Sequence, residues 1–135
     1  MEYTQNYQLP LWDKEDVVLR TDFNENNQKI DAALGAMPQI AYGTYKGTGT
    51  YGADKPNTLT FSFVPHIVLC WDASYWYNPV IMRRGDTWCI RNSNGSSRRL
   101  ELAWDDHSVH WYASEDQETQ YNLLNMEYRY IAIGY

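Results

Sequence analysis

From residue 41 onward, the chain alternates apolar with polar residues over short stretches. A clear case is Leu59, Phe61 and Phe63, which alternate with threonine and serine. A period of two is typical of a β-strand that rests one face on a core. Gly, Asn, Asp and Pro, which favour turns, separate these stretches from one another. We predict strands at 59–63, 67–71, 79–82, 87–90, 100–104, 109–113 and 128–133.

The succession of short strands, with no helical pattern between them, indicates the fold class. It predicts a mainly β protein built as an antiparallel sandwich or barrel over residues 41–135. The segment Ile67 to Trp71 is apolar on both faces, so we expect it inside a sheet or under a sister subunit. We expect Arg83-Arg84-Gly85-Asp86 to form a hairpin turn, and residues 92–97 and 114–120 to form polar loops.

A single helical pattern precedes the strands, at residues 22–34. Asp22 is a candidate N-cap, and Glu25 lies three residues later, which is the spacing of a capping box. Gly35 is expected to cap the C-terminus of this helix. An isolated helix shorter than about 12–15 residues is marginal in water. The helix must therefore pack on its own sandwich, on copies of itself or on a larger assembly.

The apolar stripe of this helix is the predicted oligomerisation surface. Part of the stripe falls at a-like and d-like positions for under two heptads, and a polar residue in such a seam can set register and oligomeric state. We expect three copies to bury stripes that one copy cannot, with a helix folded back on its own sandwich as the alternative. The residues of this surface are Phe23, Asn26, Ile30, Ala33 and Leu34.

Residues 1–20 form an arm that is rich in apolar and aromatic side chains and has no clean period. Pro10 favours extended backbone around Leu9. So many large apolar groups would make a free arm adhesive, and we expect it to lie against a neighbour or a docking surface. The predicted organisation is an N-terminal arm and helix over residues 1–36, followed by a β-sandwich domain over residues 41–135.

Composition and charge narrow the function classes. Aromatic residues make up 16% of the chain, which suits a β-rich core and also a surface that contacts sugars or proteins. The formal net charge is −6, with seven acids against three bases in residues 1–36 and ten against eight in the rest. No basic stripe is present to follow a phosphate backbone, so we do not expect nucleic-acid binding.

Cysteine content and hydropathy bear on the compartment. Cys70 and Cys89 both lie in apolar, strand-like segments, which favours buried free thiols and leaves a disulfide as the alternative. The sequence has no leader-like pattern and no apolar run of about 18 residues. We therefore expect a protein that is made in a cytoplasm and does not insert into a membrane.

Two parts of the chain resemble a known family. The N-terminal part is similar to the start of tail-fibre or baseplate proteins from tailed phages and prophages of Gram-positive bacteria. The body is similar to the small β-sandwich that follows in such proteins, and its strand order also resembles the H-type lectin fold, a trimeric six-stranded sandwich. The segments that carry the resemblance are Asn6-Tyr7-Gln8-Leu9-Pro10, Trp12, Val18-Leu19-Arg20-Thr21-Asp22-Phe23-Asn24, Lys29-Ile30-Asp31-Ala32-Ala33-Leu34, residues 47–52, 59–65 and 109–112, and the closing 128–134.

The resemblance implies a homotrimer on a virion tail, made in the bacterial cytoplasm. The N-terminal part would attach to other phage tail proteins, and the sandwich would face the host cell surface and its polysaccharide. Sugar-binding residues of H-type lectins are not transferred, because no binding motif of that family aligns with this chain.

The most site-like stretch is Tyr75-Trp76-Tyr77-Asn78, which we expect in a loop with at least one ring exposed or at an interface. Flat rings stack on the apolar faces of sugars, while Asn78, Asp72, Arg83 and Arg84 could bind hydroxyl or acidic groups. These seven residues are the candidate ligand-binding set. The alternative is that the rings seal a contact between neighbouring sandwiches.

Other chemistry is weakly indicated. On a strand, His107 and His110 would point to opposite faces and could not share one ion. Asp105-Asp106 with His107 could ligate a cation at the hairpin tip, but a solvated turn is the favoured interpretation, and we expect no metal and no cofactor. The carboxylates show no spacing that selects a glycosidase pair, and no nucleophile motif is present. The glycine-rich loop at 47–52 lacks a phosphate-binding signature. We expect a non-enzyme: a tail protein that recognises host polysaccharide, a purely structural virion component, or a stand-alone lectin-like module.

Overall fold

The computed structural model describes residues 1–93 and 95–135, without the side chains of residues 75–78 and 93. It contains two compact units, Met1–Met37 and Pro38–Tyr135. The elements in chain order are β1 (Glu2–Tyr3), β2 (Pro10–Leu11), α1 (Arg20–Gly35), β3 (Gln39–Lys46), β4 (Asn57–Thr60), β5 (Pro65–Asp72), β6 (Tyr75–Arg83), β7 (Trp88–Ser93), β8 (Ser96–Trp104), β9 (Ser108–Tyr112) and β10 (Glu127–Gly134).

In the N-terminal unit, the arm folds into a two-stranded antiparallel ribbon of β1 and β2, followed by α1. The ribbon turn is closed by the backbone N–H of Thr4, which donates to the carbonyl of Leu9 at 2.8 Å. It is tied to the helix by Lys29, whose Nζ donates to the carbonyl of Gln8 at 3.2 Å. The predicted extended backbone around Leu9 is therefore one side of a small hairpin.

The predicted capping of α1 is wrong at both ends. The helix begins at Arg20 with Leu19 as its N-cap, and no side chain caps it. Asp22 lies instead in the first turn, where a carboxylate is favoured by the helix dipole. Gly35 is the last helical residue and Ala36 is the C-cap, with an ordinary right-handed backbone. The local pattern gave the helix but misplaced its start by two residues.

The unit Pro38–Tyr135 is a sandwich of two four-stranded antiparallel sheets, which confirms the predicted mainly β fold class. The first sheet has the order β3-β10-β5-β6, and the second has the order β4-β9-β8-β7. β6 and β7 follow each other in sequence at one side of the sandwich, and β3 and β4 are the edge strands at the other side. Antiparallel neighbours in each sheet are the arrangement that short turns allow.

Several strand boundaries differ from the prediction. Residues 92–97 belong mainly to the long hairpin of β7 and β8, where Asn92 pairs with Ser97 across the ladder, so the predicted loop is wrong. β3 was not predicted, because its glycine and its proximity to the glycine-rich loop hid the strand pattern. It pairs residue by residue with β10 from Gln39 opposite Gly134 to Lys46 opposite Glu127.

The core lies between the two sheets and is filled from both. Most of it consists of inward residues of β5, β6, β7, β8, β9 and β10, together with two phenylalanines that follow β4. Both cysteines are free thiols within this core. Burying each large apolar side chain contributes about 1.5–3 kcal/mol. The fully buried large members include Trp111, Tyr128, Met82, Leu100, Val68, Val80 and Val109.

The segment before β10 was predicted as a polar loop, yet its end is buried. Gln120 has no exposed surface, and its side chain bonds to backbone groups of three other segments. Its Oε1 accepts from Gly52 N–H at 2.9 Å and Ala113 N–H at 3.0 Å, and its Nε2 donates to the carbonyl of Lys55 at 2.7 Å. Polar residues can be buried when every hydrogen-bonding group has a partner.

Within the described residues, no helix has the length and hydropathy needed to cross a membrane.

Candidate functional site

The predicted aromatic stretch at 75–78 lies in β6, so the expected loop is wrong. The side chains of these four residues lie outside the described part of the chain. Asp72 lies at the other side of the β5–β6 turn, where its Oδ1 accepts the backbone N–H of Ser74 at 2.7 Å. That contact is an Asx turn, which gives Asp72 a structural role in closing the hairpin.

The two predicted arginines are far from Asp72 along β6. β6 runs for nine residues from Tyr75 to Arg83. At a rise of about 3.3 Å per residue, its ends are about 26 Å apart. The structure therefore does not bring Asp72 and the Arg83–Arg84 pair into one site.

Arg84 is held by the protein itself. Its guanidinium donates to the carbonyl of Pro65 at 2.6 Å and to the carbonyl of Asp105 at 2.8 Å. It also stacks over the ring of Trp104, with 5.2 Å from Cζ to the ring centroid. These contacts link the ends of β5 and β8, so Arg84 positions strands and is poorly placed to bind a sugar.

Arg83 belongs to a concave surface around the β6–β7 hairpin, which we name the Trp88 surface. Trp88, which is 47% exposed, belongs to this surface. The guanidinium of Arg99 lies over part of its ring, with 5.1 Å between Cζ and the ring centroid. The Nε of Arg83 donates to Asp86 Oδ2 at 2.9 Å, which fixes a cation and an anion side by side. The concavity has a volume of about 590 Å³ and is lined by Ile81, Arg83, Gly85, Asp86, Thr87, Trp88, Cys89 and Ile90.

The Trp88 surface combines the two kinds of group that sugars need. The indole of Trp88 is 47% exposed and offers apolar ring surface beyond the part that Arg99 covers, while Arg83, Asp86 and Thr87 offer donors and acceptors around it. Sequence reasoning included Arg83 and missed Trp88. The available signal was the alternation in β7, where buried Cys89 lies between exposed Trp88 and Ile90.

A second notable surface is the outer face of the first sheet, which is apolar across four strands. The strand registers align Tyr42, Ile131, Leu69 and Ile81 in one row across the sheet. A second row aligns Ile40, Ile133 and Ile67. Tyr42 is 81% exposed, and no residue of these rows is buried. The prediction that β5 is apolar on both faces matches its position in this face.

The predicted oligomerisation residues differ in their exposure along α1. Phe23 and Leu34 are 56% and 63% exposed, and Ile30 lies on the same stripe. We call these three residues the α1 stripe. Asn26 and Ala33 are half-buried, and Asn26 lines a small hollow with residues of the ribbon. Within Arg20–Gly35, all of which the structure describes, no residue is buried.

The histidines have separate partners. His110 Nε2 lies 3.0 Å from Asp105 Oδ2, and its Nδ1 lies 2.8 Å from the hydroxyl of Thr58 on the neighbouring strand. His107 Nδ1 lies 3.2 Å from the carbonyl of Phe63. The hydrogen bond to His110 is the main cause that lowers the pKa of Asp105. Among the described residues, no group of three or more His, Cys, Asp or Glu side chains is arranged to hold a metal ion.

Comparisons with protein families, with curated proteins and with solved structures found no match for this chain.

Proposed function

We propose that this protein is a homotrimeric tail-fibre or baseplate protein of a tailed phage or prophage. Its N-terminal unit attaches to other tail proteins, and its sandwich recognises polysaccharide on the host cell surface. The observation that carries the proposal is the α1 stripe, whose three apolar side chains are exposed and lie between the first and the last turn of the helix.

Physical reasons favour burial of the α1 stripe by other copies of the chain. A helix of 16 residues without a buried side chain gains little from tertiary packing, which is the main source of helix stability in proteins. Full burial of each of Phe23, Ile30 and Leu34 would contribute about 1.5–3 kcal/mol. Identical helices offer identical stripes, and a three-fold arrangement buries all of them together.

The outer face of the first sheet supports the assembly part of the proposal. Its flanking charges are paired within the chain, since Arg83 bonds Asp86 and Arg129 lies 3.7 Å from Glu127. A second copy can therefore approach without repulsion between like charges. Contiguous apolar patches of this kind are typical of contact surfaces between proteins.

The Trp88 surface supports the recognition part. It is concave, it lies on the sandwich, and it offers an indole next to a fixed ion pair. A structural virion component that binds no ligand would not need this combination. A purely structural virion component is the second candidate function, because exposed tryptophans are also common in contacts between proteins.

Substitutions in α1 test the assembly. Phe23→Asp combined with Leu34→Asp is expected to convert a trimer into a monomer, because two charges would enter the buried seam. The matched control is Asn24→Asp with Gln28→Asp, which adds the same charge on the polar side of the same helix. The control should keep the solution mass of the unmodified chain. Equal masses for both variants would contradict the assembly through the α1 stripe.

Substitution of Trp88 tests the recognition. Binding of the full chain to purified host cell-wall polysaccharide should fall at least tenfold in Trp88→Ala, as expected when a stacking ring is lost. Tyr135→Ala removes another exposed ring and is the control. Undiminished binding in Trp88→Ala would contradict recognition at this surface. Binding to tail proteins only, through residues 1–37, would favour the purely structural candidate.

A further inference from the structure

The open side of the sandwich, between edge strands β3 and β4, contains a second cleft. It lies opposite the side that holds the Trp88 surface and has a volume of about 260 Å³. We name it the β3–β4 cleft. The lining residues central to its chemistry are Tyr45, Lys46, Thr48, Thr50, Lys55 and Trp111.

One wall of the β3–β4 cleft is the glycine-rich loop, which a buried amide holds in place. Asn122 Oδ1 accepts the backbone N–H of Thr48 at 2.9 Å. Its Nδ2 donates to the Thr48 hydroxyl and to the Thr50 carbonyl, both at 2.8 Å. The backbone N–H of Gly49 donates to the carbonyl of Asn122 at 2.8 Å. The two threonine hydroxyls are therefore presented on a fixed backbone.

The opposite wall is fixed by the same segment of chain. Gln120 Nε2 donates to the carbonyl of Lys55, and Asn57 Nδ2 donates to the carbonyls of Gln120 at 3.1 Å and Tyr121 at 3.2 Å. Both walls thus depend on two buried amides of one short segment, Gln120 and Asn122. A cleft whose walls are held in this way keeps its shape before a ligand arrives, which lowers the cost of binding.

The charge around the β3–β4 cleft is positive although the chain is acidic. Lys46 and Lys55 line it, and within the described residues neither has an ion-pair partner. The acids of the neighbouring polar segment are engaged by arginines of the second sheet, since Glu115 and Asp116 share Arg98 at 3.0 and 2.9 Å and Glu118 lies 3.9 Å from Arg91. Asp54, the neighbour of Lys55 in sequence, is not among the lining residues.

The floor of the β3–β4 cleft is apolar. Trp111, Tyr45 and Leu59 form it, and the polar atoms of the two rings are engaged elsewhere. The indole N–H of Trp111 donates to the carbonyl of Gln120 at 2.9 Å, and the Tyr45 hydroxyl donates to the carbonyl of Tyr121 at 2.8 Å. Trp111 is almost fully buried beneath the floor, so the surface open to the cleft comes from the half-buried Tyr45 and Leu59. The floor therefore offers apolar surface without free donors, while the rim offers hydroxyls and ammonium groups.

We propose that the β3–β4 cleft binds a single sugar ring that carries an anionic group, either a carboxylate or a phosphate. The ring packs on the apolar floor at Tyr45 and Leu59, its hydroxyls meet Thr48 and Thr50, and its anion lies between Lys46 and Lys55. The volume lies below the roughly 300 Å³ at which sites for drug-sized ligands begin, which limits the ligand to about one ring. This site is separate from the Trp88 surface and goes beyond the proposed function.

The test is a titration of the full chain followed by amide and indole NMR. The probes are glucuronate, glucose 6-phosphate, glucose and inorganic phosphate, each at the same ionic strength. Saturable shifts of the Thr48 and Thr50 amides and the Trp111 indole are expected with one or both anionic sugars. Glucuronate and glucose 6-phosphate distinguish the carboxylate source from the phosphate source. Glucose and inorganic phosphate should each bind at least fivefold more weakly than the better anionic sugar.

Lysine variants complete the test. Lys55→Gln and Lys46→Gln should each weaken the better probe at least threefold, whereas Lys14→Gln in the N-terminal unit should leave its affinity unchanged. Trp88→Ala should also leave the affinity for this probe unchanged. A failure of the proposal for the β3–β4 cleft is therefore distinguishable from a failure of recognition at the Trp88 surface. The proposal is overturned if no probe shifts these signals, if glucose or inorganic phosphate binds as well as the sugars that carry an anion, or if Lys14→Gln weakens binding as much as Lys55→Gln.

Discussion

Asn122 and Thr48, which are 74 positions apart in the chain, make a two-point contact. The Asn122 carbonyl oxygen accepts the Thr48 backbone N–H at 2.9 Å, and the Asn122 amide nitrogen donates to the Thr48 hydroxyl at 2.8 Å. The contact joins the glycine-rich loop to the segment that leads into β10. It is therefore one of several long-range constraints on a loop that lacks regular secondary structure.

Replacement of Asn122 by alanine tests this constraint. Because the change leaves buried donors and acceptors of the loop without partners, we expect a loss of about 2–3 kcal/mol in the free energy of unfolding. Urea unfolding followed by tryptophan fluorescence measures it. Gln39→Ala, at an exposed position of the same unit, is the control and should change the free energy by less than about 0.5 kcal/mol. A loss for Asn122→Ala no larger than the control's would contradict the role of the contact.

The close packing around Gly134 leads to a second prediction about stability. A Cβ atom at this position would lie 1.9 Å from the carbonyl oxygen of Val64, so Gly134→Ala must displace backbone. We expect a loss of more than about 2 kcal/mol in the free energy of unfolding, by the mechanism of overpacking. At Gly35 a Cβ atom would meet nothing within 4 Å, and Gly35→Ala should be neutral or stabilising by up to about 1 kcal/mol. Thermal melts of both variants measure the change in stability. Equal changes for Gly134→Ala and Gly35→Ala would contradict the close approach of the Val64 carbonyl to Gly134.

The cysteines predict low chemical reactivity. Burial raises the pKa of both the Cys70 and the Cys89 thiol to about 12, which leaves almost no thiolate at neutral pH. In the native protein at pH 8, Ellman's reagent should modify neither thiol within minutes, and both should react once urea unfolds the chain. Rapid reaction of one or two thiols in the native protein would show that the core is open to solvent at these strands.

The lowered pKa of Asp116 leads us to expect that the stability of the fold depends on pH. The backbone N–H of Thr119 donates to its carboxylate at 2.7 Å, which is the main cause that lowers the pKa of this group, with help from Arg98. Since the folded pKa is below the unfolded value of about 3.9, the contribution is complete above that value. It is lost as the pH falls through the folded pKa. Urea midpoints at pH 7 and pH 3 should therefore differ less in Asp116→Asn than in the unmodified chain. An unchanged difference would contradict the contribution of Asp116.

Much of the sandwich could be predicted because alternation is a local signal. The strand β8 shows it plainly, with Leu100 and Leu102 buried between polar neighbours. β3 was missed because Gly43 weakens the local pattern, and only pairing with β10 along its whole length makes the strand. Gln120 was predicted in a solvated loop, since its burial depends on partners 63 to 68 positions away that no local pattern reveals.

The candidate site was harder to predict than the fold. Arg83 and Arg84 are neighbours in sequence with different roles. Arg83 ends β6, whereas the side chain of Arg84 donates to the carbonyls of Pro65 and Asp105. Arg83 remains at the surface with Asp86 as its partner, whereas Arg84 is taken up by backbone carbonyls at the strand ends. Trp88 could have been proposed from its place in an alternating strand, since the large outward residue of such a strand is exposed by the same rule that buries Cys89.

The solution mass of the full, unmodified chain tests the central claim most directly. Light scattering between about 1 and 100 µM should report a particle of three times 15.9 kDa, because each protomer exposes the α1 stripe and an apolar sheet face. A stable mass of 15.9 kDa across that range would contradict assembly through these surfaces.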